Sequence, residues 1–234
     1  MQIGDRPLLQ WVWQSAVDSG AASVLIATDD ERIRAAALNF GADCAMTSVH
    51  HVSGTDRIAE TVRARGLSAD AIVVNLQGDE PAMPAAVIAG VAQGLRDVAG
   101  AEISTAAAPI RSLREFLDPN CVKALRDPDG RALYFSRAPV PWPRDHITDA
   151  QPTRFGGAFR HVGIYAYRVR SLLQFASWRP TPLEETEKLE QLRALENGMP
   201  IHLVTLVKAP PAGVDTPEDL ERVRAGLAAE GALG

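Results

Sequence analysis

The chain has 234 residues, 46% of them hydrophobic and 23% charged, with a formal net charge of -5. That length and composition suit one large α/β domain and exclude a disordered or fibrous protein. Lys and Arg are scattered rather than clustered, which argues against a nucleic-acid binder with a basic face; a small anionic ligand needs only a few local cations.

The opening "MQIGDRPLLQ" carries neither the basic patch nor the apolar stretch of a signal peptide. No apolar run reaches the roughly 18 residues that a membrane span requires. Cys44 and Cys121 lie far apart and in no metal-like pattern, so neither a disulfide framework nor a structural zinc site is expected, and a reducing cytoplasm is the expected compartment.

The first half alternates between two periods. "WVWQSAVDSG" has apolar positions at helical spacing and stops at Gly20. "SVLIAT" is a short β-rich run ending at Asp29 and Asp30. "DERIRAAALNFG" reads as the next helix, with acids in its first turn and Gly41 past its end. "DCAMT" is a short strand, and "GTDRIAETVRARG" a helix capped by Thr55 or Asp56. "AIVVNLQGDEP" follows as a strand that runs into an acidic turn. This rhythm predicts a doubly wound, mostly parallel sheet, whose strands lose their alternation because both faces are buried. Ligands of such sheets gather outside the carboxyl ends of the strands, where Asp29, Gln77 and Asp79 fall.

From Ile103 onward "ISTAAAP", "CVKALRD", "ALYFSR", "HVGIYAYR" and "IHLVTL" are strand candidates, and "DPDG" signals a hairpin between two of them. Residues 138 to 157 are rich in Pro, Gly and Asp and predict a long loop. "LEETEKLEQLRALENG" predicts one helix ending at Gly198. "TPEDLERVRAGLAAE" predicts the last helix, with Thr216 as N-cap and Pro217 in its first position, before a small-residue tail that frays. The expected organisation is a single domain over residues 1–234 with an inserted lobe at roughly 130–170.

Several stretches carry candidate chemistry. In "NLQGDEP", Gly78 permits a tight turn and Pro81 ends the strand, so Asp79 and Glu80 stand at its carboxyl end. Carboxylates there suit Mg²⁺, which takes one or two protein oxygens and fills the remainder with phosphate and water; a solvated turn that caps the next helix is the plainer alternative. Asp215 in "GVDTPEDL" is a second candidate ligand, or simply a helix-start acid. "HHVSGTDR" runs through Gly54 into a helix N-terminus, which offers free N–H groups to an anion; Arg57 suits a phosphate, against the alternative of an ordinary capped loop. Adjacent His50 and His51 point in different directions and make a poor metal pair.

Arg137 closes "ALYFSR" before a proline-stiffened segment, and its guanidinium suits a carboxylate substrate. "RHVGIYAYR" puts His161, Gly163, Tyr165 and Tyr167 on one strand face, fit for a polyhydroxylated ligand or for a subunit interface. Glu187 and Glu190 share a helix face by their spacing, and Glu190 with Gln191 suits sugar hydroxyls or plain solvent.

"SGTDR", "NLQGDEP", "ALYFSRAPVPW", "RHVGIYAYR", "PLEETEKLEQLRAL" and "GVDTPEDLERVR" occur here in one order, and together they are far more specific than any one of them. In this the chain resembles the 3-deoxy-manno-octulosonate cytidylyltransferase (CMP-Kdo synthetase) family, from about Gly4 to Arg224. The resemblance implies a nucleotidyltransferase-like α/β fold and a homodimer. It implies Mg²⁺-dependent transfer of CMP from CTP to the acidic sugar Kdo, with release of pyrophosphate, for lipopolysaccharide synthesis in the Gram-negative cytoplasm. By motif, Asp79 and Asp215 would be the metal ligands and Gln77 would contact the sugar near the reacting centre. Ser53, Gly54 and Arg57 would lie on the CTP side, while Arg137, His161, Tyr165, Glu190 and Gln191 would line the Kdo pocket. A cytidylyltransferase for a related acidic sugar and a non-catalytic sugar-acid-binding dimer are the alternatives.

The family's first strand and Gly/Arg/Lys-rich phosphate loop have no counterpart ahead of "MQIGDRPLLQWV". The expectation is that Met1 is an internal methionine of a longer natural protein, and that the chain as written is weak or inactive. His50 stands where the family usually has Asp.

Overall fold

The computed structural model describes residues 1–144, 155 and 157–229. Most of the loop expected between residues 138 and 157, and the tail after Ala229, lie outside the described residues. The chain forms two compact units, one from Met1–Ser68, Asn75–Ala89 and Pro210–Gly234, the other from Ala69–Val74 and Gly90–Ala209.

In the first unit a short antiparallel ribbon, β1 (Gln2–Ile3) with β2 (Arg6–Pro7), turns at Gly4 and leads into α1 (Leu8–Asp18). β3 (Leu25–Thr28) lies parallel to β4 (Asp43–Met46), joined by α2 (Glu31–Asn39). Asp30 caps α2 by accepting from the Arg32 amide at 2.8 Å, which satisfies one of the helix's orphan donors.

α3 (Gly54–Ala64) follows. Its cap is Ser53, whose Oγ accepts from the Asp56 amide at 3.1 Å, and not Thr55 or Asp56 as expected. Ser53 still has extended backbone, whereas Thr55 is already buried within the helix's first turn. The unit's core joins distant segments: Ile3, Leu8 and Val12 pack with Val214, Val223 and Leu227.

The second unit is built on a six-stranded mixed sheet. Its strands are β5 (Ile72–Asn75), β6 (Ile103–Pro109), β7 (Lys123–Arg126), β8 (Ala132–Ser136), β9 (Phe159–Arg168) and β10 (Ile201–Thr205). The order is β10-β6-β9-β7-β8, with β5 also pairing β9. β10 runs parallel to β6, while β9 lies antiparallel to both β6 and β7, so the sheet is parallel only in part. β7 and β8 form the hairpin that "DPDG" signals, closed by the Gly130 amide on the Asp127 carbonyl at 3.1 Å.

Small residues set how closely this sheet is covered. Ala106, Ala107 and Ala108 of β6 are fully buried. In α4 (Ala85–Asp97) a Cβ on Gly94 would fall 2.7 Å from Ser104 Oγ and 2.8 Å from Val204. The close approach of helix to sheet therefore requires glycine there, at a cost in helix propensity of about 1 kcal/mol. The buried Phe116 of α5 (Leu113–Leu117), Phe135 and Phe175 of α6 (Val169–Phe175) fill the remainder, each stabilising the unit by roughly 1.5–3 kcal/mol.

The single helix expected from "LEETEKLEQLRALENG" is two, α7 (Pro182–Glu187) and α8 (Gln191–Glu196). Lys188 between them is left-handed, at φ 53°. The physical reason is an outside donor: the Glu187 carbonyl, which would bond the Gln191 amide in a continuous helix, accepts Arg137 Nε at 2.7 Å. Glu187 and Glu190 therefore do not share one helix face. The chain ends in α9 (Pro217–Ala229), with Thr216 at its start as expected.

Among the described residues no helix is long and apolar enough to cross a membrane. Both Cys44 and Cys121 are free.

Candidate active site

In the first unit the candidate residues converge on two loops and one helix start. β5 ends at the buried Asn75, and the chain then turns out so that Gln77, Gly78 and Asp79 are exposed. Residues 210–216 pass beside this turn: the Val214 amide donates to the Asp79 carbonyl at 2.8 Å. A Cβ on Gly213 would sit 3.0 Å from that same carbonyl oxygen and 3.1 Å from Glu80 Oε1. The two segments thus touch along their backbones, and Asp215, exposed like Asp79, follows Val214 directly.

Gln77 points the other way along the chain. Its side-chain amide atoms are 3.7 Å from where a Gly54 Cβ would be, with Asn75 Nδ2 at 3.9 Å. The start of α3, capped by Ser53, therefore lies against the Gln77 amide, in ordinary van der Waals contact range of residue 54.

Arg57, one turn into α3, donates to Asp29 Oδ2 at 2.8 Å and to Thr47 Oγ1 at 2.5 Å. Its hydrogen bond to Asp29 is the main cause that holds that carboxyl below its usual range. The arginine ties the helix start to the carboxyl ends of β3 and β4. His51 pairs with Glu60, which also accepts the Ser48 amide at 3.0 Å; that histidine braces the loop.

Among the described residues no group of three or more His, Cys, Asp or Glu is placed to hold a metal. The donor set available is the pair of exposed carboxylates Asp79 and Asp215, neither in an ion pair with a described residue. Two such oxygens suit a hard cation that keeps most of its shell for phosphate and water.

In the second unit the candidates gather around β9. Ring contacts run from Phe135 to His161 (centroids 5.1 Å), from His161 to Tyr165 (5.4 Å) and from Tyr165 to Tyr167 (6.0 Å). The expected face of His161, Tyr165 and Tyr167 is therefore real. Burial pushes the His161 pKa down to about 4 and keeps its ring neutral. Burial, then the neighbouring Tyr167 and Glu190, raises the Tyr165 hydroxyl well above its usual value, so it serves as a hydrogen-bonding group and not as a base.

Glu190 lies 3.7 Å from Arg193. Gln191 is 7% exposed, and its Nε2 has no hydrogen-bond partner among the described residues. A buried amide donor left open is costly, which makes Gln191 a candidate to meet a ligand acceptor. Arg137 is held at its backbone amide by Glu187 Oε2 (2.8 Å), at Nε by the Glu187 carbonyl and at Nη1 by the Pro119 carbonyl (3.1 Å). Ser136 Oγ donates to the other Glu187 oxygen at 2.7 Å. These bonds fix the guanidinium plane and leave Nη2 uncommitted to any described residue.

A family model described as Cytidylyltransferase matches residues 1–201. The chain belongs to this cytidylyltransferase family. It is 52% identical over 224 residues to the 3-deoxy-manno-octulosonate cytidylyltransferase of Pseudomonas syringae pv. syringae, which covers 95% of this chain and 88% of the relative. It is 49% identical over 222 residues to the protein of that name from Vibrio cholerae serotype O1, again covering 95% and 88%. It also matches the solved structure of a CMP:2-keto-3-deoxy-manno-octonic acid synthetase complexed with CTP, at 38% identity and a TM-score of 0.89, over 98% of this chain and 91% of that one. The nucleotidyltransferase-like α/β fold expected from the sequence is thereby established.

Three side-chain contacts near this cytidylyltransferase's candidate residues escaped the sequence reading, which named Glu187 only for its helix face. Thr105 lies within hydrogen-bond reach of His161 across 56 residues. Glu187 grips Arg137 across 50. Lys123, fully buried, donates to the Asp118 carbonyl at 2.8 Å. A threonine inside an apolar run and a lysine inside "CVKALRD" were the available signals, since a buried strand carries polar side chains only where they find partners.

Proposed function

We propose that the chain transfers CMP from CTP to the anomeric hydroxyl of 3-deoxy-manno-octulosonate (Kdo), giving CMP-Kdo and pyrophosphate. The observation that carries this reading is the near full-length likeness to relatives of that name, at about half identity.

In the reaction the sugar hydroxyl attacks the α-phosphorus of CTP, and pyrophosphate leaves from the opposite side. Such a transfer needs alignment and charge neutralisation more than covalent participation of the protein. We assign Asp79 and Asp215 as the residues that hold Mg²⁺; bound there, the ion supplies charge neutralisation at the phosphate oxygens. What supports this is the backbone bond that brings the two carboxylates' segments together.

The α3 start, with Ser53, Gly54 and Arg57, is assigned to the nucleotide: a helix N-terminus attracts an anion, and Arg57 sets its position from Asp29 and Thr47. Gln77 is assigned to orient the sugar near the reacting centre.

For Kdo, Arg137 is assigned to the carboxylate through its remaining Nη2, while neutral His161, Tyr165, Glu190 and the open amide of Gln191 take hydroxyls. We further propose a homodimer in the cytoplasm, where CTP is made. Support for association comes from Leu133 on the edge strand β8, 59% exposed, and from Trp142, 66% exposed, apolar side chains that a partner would cover.

The test is pyrophosphate release with CTP, Mg²⁺ and Kdo, run side by side on this chain and on one extended upstream of Met1, with the nucleotide sugar identified by ³¹P NMR. CMP-Kdo as the main product supports the reading. Turnover only with a different acidic sugar, or sugar binding without turnover, would overturn it in favour of one of the two alternatives.

A further inference from the structure

Thr105 sits in β6 with no exposed surface. Opposite it, β9 breaks register: Thr105 pairs with Tyr165, but the next residue, Ala106, pairs with Val162. Gly163 and Ile164 are thus left as a bulge. Three groups surround the threonine hydroxyl as a result. Its Oγ1 is 2.8 Å from the Ile164 carbonyl, 3.2 Å from the Val162 carbonyl and 3.0 Å from His161 Nε2.

A hydroxyl has one proton and two lone pairs, whereas a carbonyl oxygen only accepts. If Thr105 donated its proton to His161, two carbonyl oxygens would face its lone pairs at close range with no hydrogen between them, a repulsive arrangement in a buried place. The proton therefore goes to a carbonyl, with Ile164 the nearer. At Nε2 the threonine oxygen must then accept, so Nε2 carries the hydrogen. Because burial keeps the ring neutral, Nδ1 is left as a bare lone pair, and no described residue donates to it.

We propose that Thr105 is a positioning residue: it locks His161 as the Nε2–H tautomer, so that Nδ1 stands as a hydrogen-bond acceptor for a hydroxyl of the sugar substrate. The second half of this statement rests on the assignment of His161 to the sugar; the first half does not. Phe135, edge-on to the imidazole, and Tyr165, tilted against it, restrict the ring's rotation, and the bulge supplies the two carbonyls that orient the hydroxyl. Tautomers of a histidine are commonly set in this way, by what its other nitrogen bonds.

The experiment uses ¹⁵N-histidine-labelled protein, with the His161 signals assigned by their loss in His161→Gln. The wild type should show a hydrogen-bearing Nε2 and a bare Nδ1, and adding Kdo should shift Nδ1. Thr105→Val, nearly the same shape without the hydroxyl, should give a mixture of tautomers. It should also raise KM for the sugar about tenfold, as loss of one set hydrogen bond would, with kcat and KM for CTP nearly unchanged. Thr105→Ser, which keeps the hydroxyl, should restore both.

A hydrogen on Nδ1 in the wild type overturns the tautomer assignment, even if Thr105→Val fails to fold. An unchanged spectrum in Thr105→Val overturns the lock. A locked tautomer together with an unchanged sugar KM in His161→Gln overturns the contact between His161 and the sugar, and with it that part of the functional assignment.

Discussion

The amide of Val214 donates to the carbonyl of Asp79 at 2.8 Å, so the segments that carry the two candidate metal ligands are joined by a bond that neither carboxylate makes. The acidic turn is thus held through its backbone, and its side chains are left for chemistry.

Because that link is independent of the side chains, Asp79→Asn and Asp215→Asn should fold normally, with melting temperatures close to the wild type. Pyrophosphate release should fall by roughly 10²–10³ in each, the scale of removing one electrostatic stabiliser of a transition state. The double variant should be little worse than either single one, since both groups act as one unit. Steady-state kinetics and thermal melts decide it: wild-type turnover in Asp79→Asn would remove that residue from the ligand set.

Gly213→Ala tests the same junction without touching a carboxylate. The new Cβ would crowd the Asp79 carbonyl at 3.0 Å, and that oxygen cannot yield without stretching its bond to Val214. Overpacking of this kind costs about 1–3 kcal/mol. The expected result is a modest loss of stability by urea denaturation and a kcat lowered about tenfold or more. Full activity would show that the Asp79 turn does not depend on residue 213.

His161 predicts an acid sensitivity whose sign can be worked out. Its folded pKa, held down to about 4 by burial, lies below the ordinary value of 6.5. Between those values the unfolded chain binds a proton that the folded one refuses, so stability falls as pH drops from about 6.5 to about 4 and is unaffected above that window. The size is about 3 kcal/mol from this residue. Denaturant unfolding at pH 7 and pH 4.5 should show a smaller drop in His161→Gln than in the wild type; equal drops would deny the histidine its buried, neutral state.

Lys188 is the only non-glycine residue with positive φ among those described, at 53°. A side chain there costs about 1–2 kcal/mol against glycine. Lys188→Gly should therefore raise the melting temperature, provided the bond from Arg137 Nε to the Glu187 carbonyl persists. A destabilised variant would mean that the lysine side chain itself contributes more than the strain it carries.

Much of this protein is local and therefore readable along the chain. The strand-to-turn passage through "VVNLQGDEP", the hairpin at "DPDG" and the helix start at Thr216 and Pro217 depend on residues a few positions apart, whose apolar period, turn chemistry and capping groups act over that range. The ordered motifs also carried the family and its candidate residues. Tertiary structure decided what depends on partners far away in sequence. Arg137 breaks the helix at Lys188 by taking the Glu187 carbonyl from 50 residues off. The bulge of β9 becomes visible only where β6 pairs with it, and it brings the Thr105 hydroxyl to His161. Each of these is a hydrogen bond closed across a long loop, and local sequence preferences do not encode it, because the donor and acceptor meet only once the sheet has formed.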